Sequence, residues 1–203
     1  VEAEGGSVDV VYPEAATADA QIKVLDNLIS QKPDAICISA NDVNALQAKL
    51  EEAMDAGIKV SSFDSAPNKD SRQVFVNQAG TQAVGQALMD AVLDISGGEG
   101  QFAILSATSQ SANQNAWIDA MKSIMEGDEK YSKLELVEVA YGDDEPQKST
   151  DQTAALLQNY PDLKVICAPT TVGIAAAAKY LQDNGSECKL TGLGLPSEMQ
   201  EYT

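Results

Sequence analysis

The chain has 203 residues, 44% of them hydrophobic and 22% charged, enough for one large or two small buried cores. Its 31 acidic and 13 basic residues leave a formal charge of −18, which repels phosphate backbones and anionic lipid surfaces and sets nucleic acid aside as a partner. The absence of histidine removes Ser-His-Asp and Cys-His catalysis and His-ligated metals, and no apolar run approaches the roughly 20 residues of a membrane span.

From the N-terminus, short β-branched runs alternate with helical patterns, the rhythm of parallel α/β architecture. Val8-Asp9-Val10-Val11-Tyr12 reads as a first strand. A helix is predicted over 18–31, where Ile22, Leu25, Leu28 and Ile29 share one face. Strand 35–39 follows, then a helix over 43–56 with Gly57 at its C-cap, strand 58–63, short strand 74–77 and a helix over 81–95. Ser96-Gly97-Gly98-Glu99-Gly100 interrupts the rhythm; lacking the Gly-Lys-Thr ending of a phosphate loop, it reads as a hinge or turn.

Beyond it come strand 102–105, a helix over 113–125 and strand 134–140. Ser149 with Gln152 forms a capping box that predicts a helix from there to Tyr160. Strand 165–168, a helix over 172–184 and strand 189–193 complete the pattern. The reading is two lobes, residues 1–99 and 100–203, each a singly wound βα sheet with strands expected to be missing at both chain ends. Cys37 and Cys167 sit in apolar strand runs and read as buried, inert thiols.

In open parallel sheets, ligands bind outside the carboxyl ends of the strands. That rule selects Asn41 and Asp42, Phe63 and Asp64, Asn77 and Gln78, the loop 108–112 leading to Asn113 and Gln114, Tyr141 to Asp144, and Pro169 to Thr171. The set offers amides, hydroxyls and carboxylates without a cation, a match to a neutral polyol. Phe63, Trp117 and Tyr141 add aromatic faces for the apolar side of a sugar ring. Trp117 also has helical spacing with Met121 and Ile124 that suits a core position. Adjacent Asp143 and Asp144 read as a solvated pair. No catalytic residue, metal site or cofactor is assigned.

The segments Phe63-Asp64-Ser65, Ile104-Leu105-Ser106-Ala107-Thr108, Asn113-Gln114-Asn115-Ala116-Trp117, Tyr141-Gly142-Asp143-Asp144, Ala168-Pro169-Thr170-Thr171-Val172-Gly173-Ile174 and Thr191 to Met199 resemble the rhamnose-binding subgroup of type I periplasmic binding proteins. They are also similar to the related receptors for autoinducer 2. The resemblance implies a two-lobed type I fold and a receptor that catalyses nothing, closes on one monosaccharide in the interlobe cleft and serves an ABC transporter permease. It implies ligand contacts from Asp64, Asn113, Gln114, Pro169 and Thr171, with Phe63, Asn41, Asn77, Trp117 and Tyr141 as further lining.

The signal receptors carry Asp where Asn113 stands and Ala where Thr171 stands, so rhamnose is favoured over autoinducer 2. A basic contact that the family supplies from its first strand cannot be mapped, because that strand is expected to be missing. The expected setting is extracytoplasmic, periplasmic or lipid-anchored, as a monomer. The rival from another class is the effector-binding body of a sugar-responsive repressor, which requires a basic helix-turn-helix upstream. An enzyme acting on sugars requires a positioned acid and base drawn from carboxylates, Lys or Tyr.

Overall fold

The computed structural model describes residues 1–202, which divide into two compact units, one over Val1–Gln78 and one from Ala79 onward. In the first, α1 (Ala18–Gln31), β1 (Ala35–Ile38), α2 (Gln47–Asp55), β2 (Lys59–Phe63) and β3 (Val74–Val76) form a parallel sheet in the order β1-β2-β3 with two helices. The Thr17 hydroxyl caps α1 by accepting from the Ala20 amide, and Lys32 ends the helix in a left-handed conformation. Leu25 on α1, Leu50 and Ala53 on α2, and Ile36, Ile38 and Val60 on the strands make one core on one face of the sheet.

Strand alternation places the other side chains on the opposite face, where Cys37, Val74 and Val76 are exposed. Cys37 is therefore not the buried thiol that its apolar run suggests. Period two puts it opposite Ile36 and Ile38, so only its neighbours reach the core.

Two expectations in this unit are not met. Val8 to Tyr12 is not a strand, and its Val8, Val10, Val11 and Tyr12 side chains are exposed. Alternation supplies β propensity, but a strand also needs a neighbour for its N–H and C=O groups, and none pairs with this segment among the described residues. Helix α2 starts at Gln47 instead of Val43 because Asp42 Oδ1 accepts from the amides of Asn44 and Ala45, both at 2.7 Å, and folds residues 42–45 into a turn.

The second unit runs α3 (Thr81–Ser96), β4 (Gly100–Ser106), α4 (Ala112–Gly127), β5 (Leu134–Tyr141), α5 (Pro146–Asn159), β6 (Leu163–Ala168), α6 (Thr171–Asp183), β7 (Lys189–Gly192) and α7 (Pro196–Met199). Its parallel sheet has the order β5-β4-β6-β7. Helices cover both faces, so central β4 is buried without alternation from Phe102 to Ser106. Phe102, Ile104, Val165 and Cys167 pack with Trp117 and Met121 of α4 and Leu88 and Met89 of α3. Ala103, Leu105 and Ile166 pack with Leu156 of α5 and Ile174 and Ala177 of α6.

Helix α3 belongs to this second core. A Cβ on Gly85 would lie 2.7 Å from Ala120 Cβ, so glycine sets how closely α3 and α4 cross. Ser96-Gly97-Gly98 forms the turn that ends α3, with Gly97 at φ 75° and the Gly98 amide bonded to the Leu93 carbonyl. Tyr131, fully buried, donates its hydroxyl to Asp90 at 2.6 Å, accepts from Gln86 Nε2 at 2.6 Å and anchors its loop to α3.

Helix α5 begins at Pro146, and Ser149 lies inside it. Proline's fixed φ suits the first helical position and starts the helix ahead of the capping-box residue. Ser149 is fully buried with its hydroxyl unpaired, packed against Gly142.

Candidate functional site

The carboxyl ends of the strands in each unit gather most of the polar residues that the sequence singles out. In the first unit, Ser39 follows β1, Asp64 follows β2, and Asn77 and Gln78 follow β3. Ser39 Oγ donates to Asp64 Oδ2 at 2.8 Å, and Gln78 Nε2 donates to Asp64 Oδ1 at 3.0 Å. Both bonds orient an exposed carboxylate at the junction of adjacent strand ends.

Asp64 has φ 56°, a left-handed conformation that a short polar side chain tolerates and most residues resist. Such conformations collect at ligand sites. Phe63 beside it is 47% exposed, an apolar surface next to the carboxylate. Asn77 is exposed and Asn41 half-buried.

Gln21 supports this junction from beneath, a role the sequence reading misses. It is buried, donates to the Ser39 carbonyl at 2.7 Å and accepts from the Asn41 amide at 2.9 Å. One signal was present: Gln21 is a polar residue four positions before Leu25, on the apolar stripe of α1.

In the second unit, β4 ends in the loop Ala107–Ser111, where the Thr108 and Ser111 hydroxyls lie 2.9 Å apart. Asn113 and Gln114 follow in the first turn of α4, both half-buried. Asn115 donates to the Ser109 carbonyl at 2.9 Å and fixes the loop. Trp117, one turn on, is 8% exposed and packs into the core beside α3. Tyr141 ends β5, half-buried. Pro169 is buried after β6, Thr170 is the N-cap residue of α6, and Thr171 is exposed at the first helical position.

Asp143 and Asp144 are not the solvated pair that their adjacency suggests. Both take left-handed φ, 53° and 52°. Asp143 is paired with Lys148 of α5, and Asp144 accepts a hydrogen bond from the Thr170 hydroxyl. Lys148 thus brings a cation to a strand end where the sequence reading placed none, and its charge is taken up by Asp143.

None of Ser111, Glu145 and Thr170, the N-cap residues of α4, α5 and α6, caps its helix with its side chain. Helix first turns present N–H groups that find no intrahelical acceptor, so this rim is rich in donors for oxygen atoms. A groove of about 490 Å³ between α5 and α6 also includes Thr171, with Pro146, Thr150, Ala175 and Lys179.

Among the described residues no group of three or more His, Cys, Asp or Glu side chains is arranged to hold a metal ion. Burial pushes the Cys167 thiol up to about 12, which makes it unreactive as a nucleophile. No helix among the described residues is long and apolar enough to cross a membrane.

Parallel sheets flanked by helices, with polar residues gathered at the strand ends, define a binding protein of the type I periplasmic fold. The chain matches the periplasmic binding protein domain over residues 1–203 and belongs to that family. It is 60% identical to an ABC transporter solute-binding protein from Clostridium phytofermentas with bound L-rhamnose, with a TM-score of 0.97 over 99% of this chain and 63% of that one.

It has the same fold as LsrB from Clostridium saccharobutylicum in complex with AI-2, at 24% identity and a TM-score of 0.89, covering 99% of this chain and 65% of that one. It is 26% identical to the D-ribose/D-allose-binding protein of Pseudomonas aeruginosa over 157 residues, 73% of this chain and 47% of the relative. The chain therefore spans about half to two thirds of the length of these proteins.

Proposed function

We propose that this chain is the ligand-binding body of an extracytoplasmic sugar receptor that delivers L-rhamnose to an ABC importer and performs no chemistry on it. The observation that carries the reading is the Asp64 carboxylate, oriented by Ser39 and Gln78 at exposed strand ends. A carboxylate accepts from two neighbouring hydroxyls of a sugar, while amides such as Asn113 and Gln114 both donate and accept. Phe63 offers the apolar patch that a deoxysugar's methyl group and ring face require.

In this proposal Asp64 acts for the first unit, and Asn113, Gln114, Pro169 and Thr171 for the second, on one ligand. Such a sugar favours a closed receptor only by its differential affinity for that state. Reversing a population from mostly open to mostly closed takes about 5.5 kcal/mol of difference. Two or three hydrogen bonds to charged groups, at roughly 1.5–3 kcal/mol each, supply it. The likeness to the L-rhamnose-bound protein supports this sugar. On the resemblance drawn from the sequence, Asn113 and Thr171 also lean toward this sugar over autoinducer 2.

The test is calorimetric titration of the full-length protein with L-rhamnose, D-ribose and autoinducer 2. Heat of binding with L-rhamnose at micromolar Kd or tighter is expected. Binding of none of the three sinks the receptor reading, and tighter binding of autoinducer 2 moves the protein to the signal branch.

A further inference from the structure

The N-cap residue of α6 is a threonine that does not cap. A threonine at that position ordinarily accepts from the amide two or three residues on, and α6 lacks that bond. The Thr170 hydroxyl points instead to Asp144, to which it donates a hydrogen bond. Thr170 is 4% exposed and Asp144 half-buried, so the bond is largely screened from water.

The two residues stand on strands that are not neighbours. Asp144 follows β5 and Thr170 follows β6, with central β4 between them. The bond therefore crosses over the end of β4 and straps together the ends of the two strands that flank it. The loop that carries Asp144 is itself fixed to β4. The Gly142 amide bonds the Ser106 carbonyl at 2.9 Å, and the Asp143 amide bonds the Ala107 carbonyl at 3.0 Å. Asp144 then holds φ 52°, a conformation whose only evident return is the direction in which it aims the carboxylate.

From this geometry we infer that Asp144 is a positioning residue for sugar binding: through Thr170 it sets the turn that presents Pro169 and Thr171 to the ligand. The inference rests on the receptor function proposed above. Side chains that touch a ligand are held in register by the bonds of the residues behind them, and Asp144 fills that place for the α6 turn. Losing a capping bond at α6 is tolerated because the same hydroxyl gains a charged acceptor.

The experiment is titration of the full-length protein and its variants with L-rhamnose, alongside thermal melting of the sugar-free proteins. Asp144→Gly removes the carboxylate, and glycine accepts the left-handed φ without strain. It is expected to weaken binding by about tenfold, the loss of one well-placed interaction. Asp144→Asn keeps an acceptor at the same place and is expected to restore affinity to within about threefold of wild type, a rescue that a purely structural role of the loop does not require.

Thr170→Val approaches the bond from its other end. Combined with Asp144→Gly it is expected to cost no more than either change alone, since both remove one bond. Wild-type affinity in Asp144→Gly, or losses that multiply in the double variant, overturns the inference while leaving the receptor reading intact. A wild-type protein that takes up no sugar overturns both.

Discussion

If Asp64 binds the sugar as proposed, replacing it should weaken recognition while costing the fold little. Its carboxylate is exposed, and the groups bonded to it, Ser39 Oγ and Gln78 Nε2, can turn to water when it is removed. The change therefore costs the fold little. With φ 56°, Asp64→Ala adds roughly 1 kcal/mol of left-handed strain, and Asp64→Gly adds none. On the binding side, two hydroxyls donating to a charged acceptor at roughly 1.5 kcal/mol each, the low end of the range, contribute about 3 kcal/mol.

That corresponds to at least a hundredfold loss in Kd. Asp64→Asn keeps one acceptor oxygen and is expected to fall between the two, about tenfold. Titration of L-rhamnose into the full-length protein reads the affinity, and thermal melting of the sugar-free variants reads the fold. Affinity within about threefold of wild type in Asp64→Gly, with melting unchanged, refutes the argument, because it leaves an oriented carboxylate at a strand end with no ligand to serve.

The remaining predictions concern the fold. Gly85→Ala places a methyl 2.7 Å from Ala120 Cβ and 3.2 Å from the Met121 amide nitrogen, so α3 and α4 must separate. Overpacking of roughly 1–3 kcal/mol outweighs the gain in helix propensity of about 0.8–1, and chemical denaturation should show net destabilisation. Asp90 is held down at about 2 by hydrogen bonds from Tyr131, Lys130 and Gln86. A depressed carboxyl stabilises the fold above its unfolded value near 3.9 and loses that contribution as pH falls through about 2. Asp90→Asn should flatten the acid limb of the stability profile in that window, and an unchanged limb refutes the link. In the native protein at pH 8, iodoacetamide should spare buried Cys167 and label it only after denaturation, read by peptide mass; rapid labelling of native Cys167 contradicts its burial.

What a strand end carries is legible in a sequence, since a residue such as Asp64 is placed by the run of β-branched neighbours immediately before it. Alternating apolar runs and helical stripes likewise give the α/β class. The errors fall where a third party decides. Val8 to Tyr12 has the pattern of a strand and no strand pairs with it among the described residues. Helix α5 opens at Pro146 because the first residue able to start it does so, and the capping box at Ser149 is left buried inside. Helix α2 is shortened by a turn that the Asp42 side chain makes with its own backbone.

The misreading of Asp144 has a deeper cause. Taken by their adjacency, Asp143 and Asp144 belong to one loop and one solvent. In the folded unit their fates divide, Asp143 to Lys148 a turn away and Asp144 to Thr170, 26 residues on. Which loops meet depends on strand order, and β5-β4-β6-β7 is not chain order. A sequence read in order puts β4 and β5 side by side and leaves β6 at a distance. The sheet instead centres β4 and sets the β5 and β6 ends on either side of it, close enough for one carboxylate to span. Bonds that tie strand ends across a sheet are thus the part of such a site that local pattern withholds.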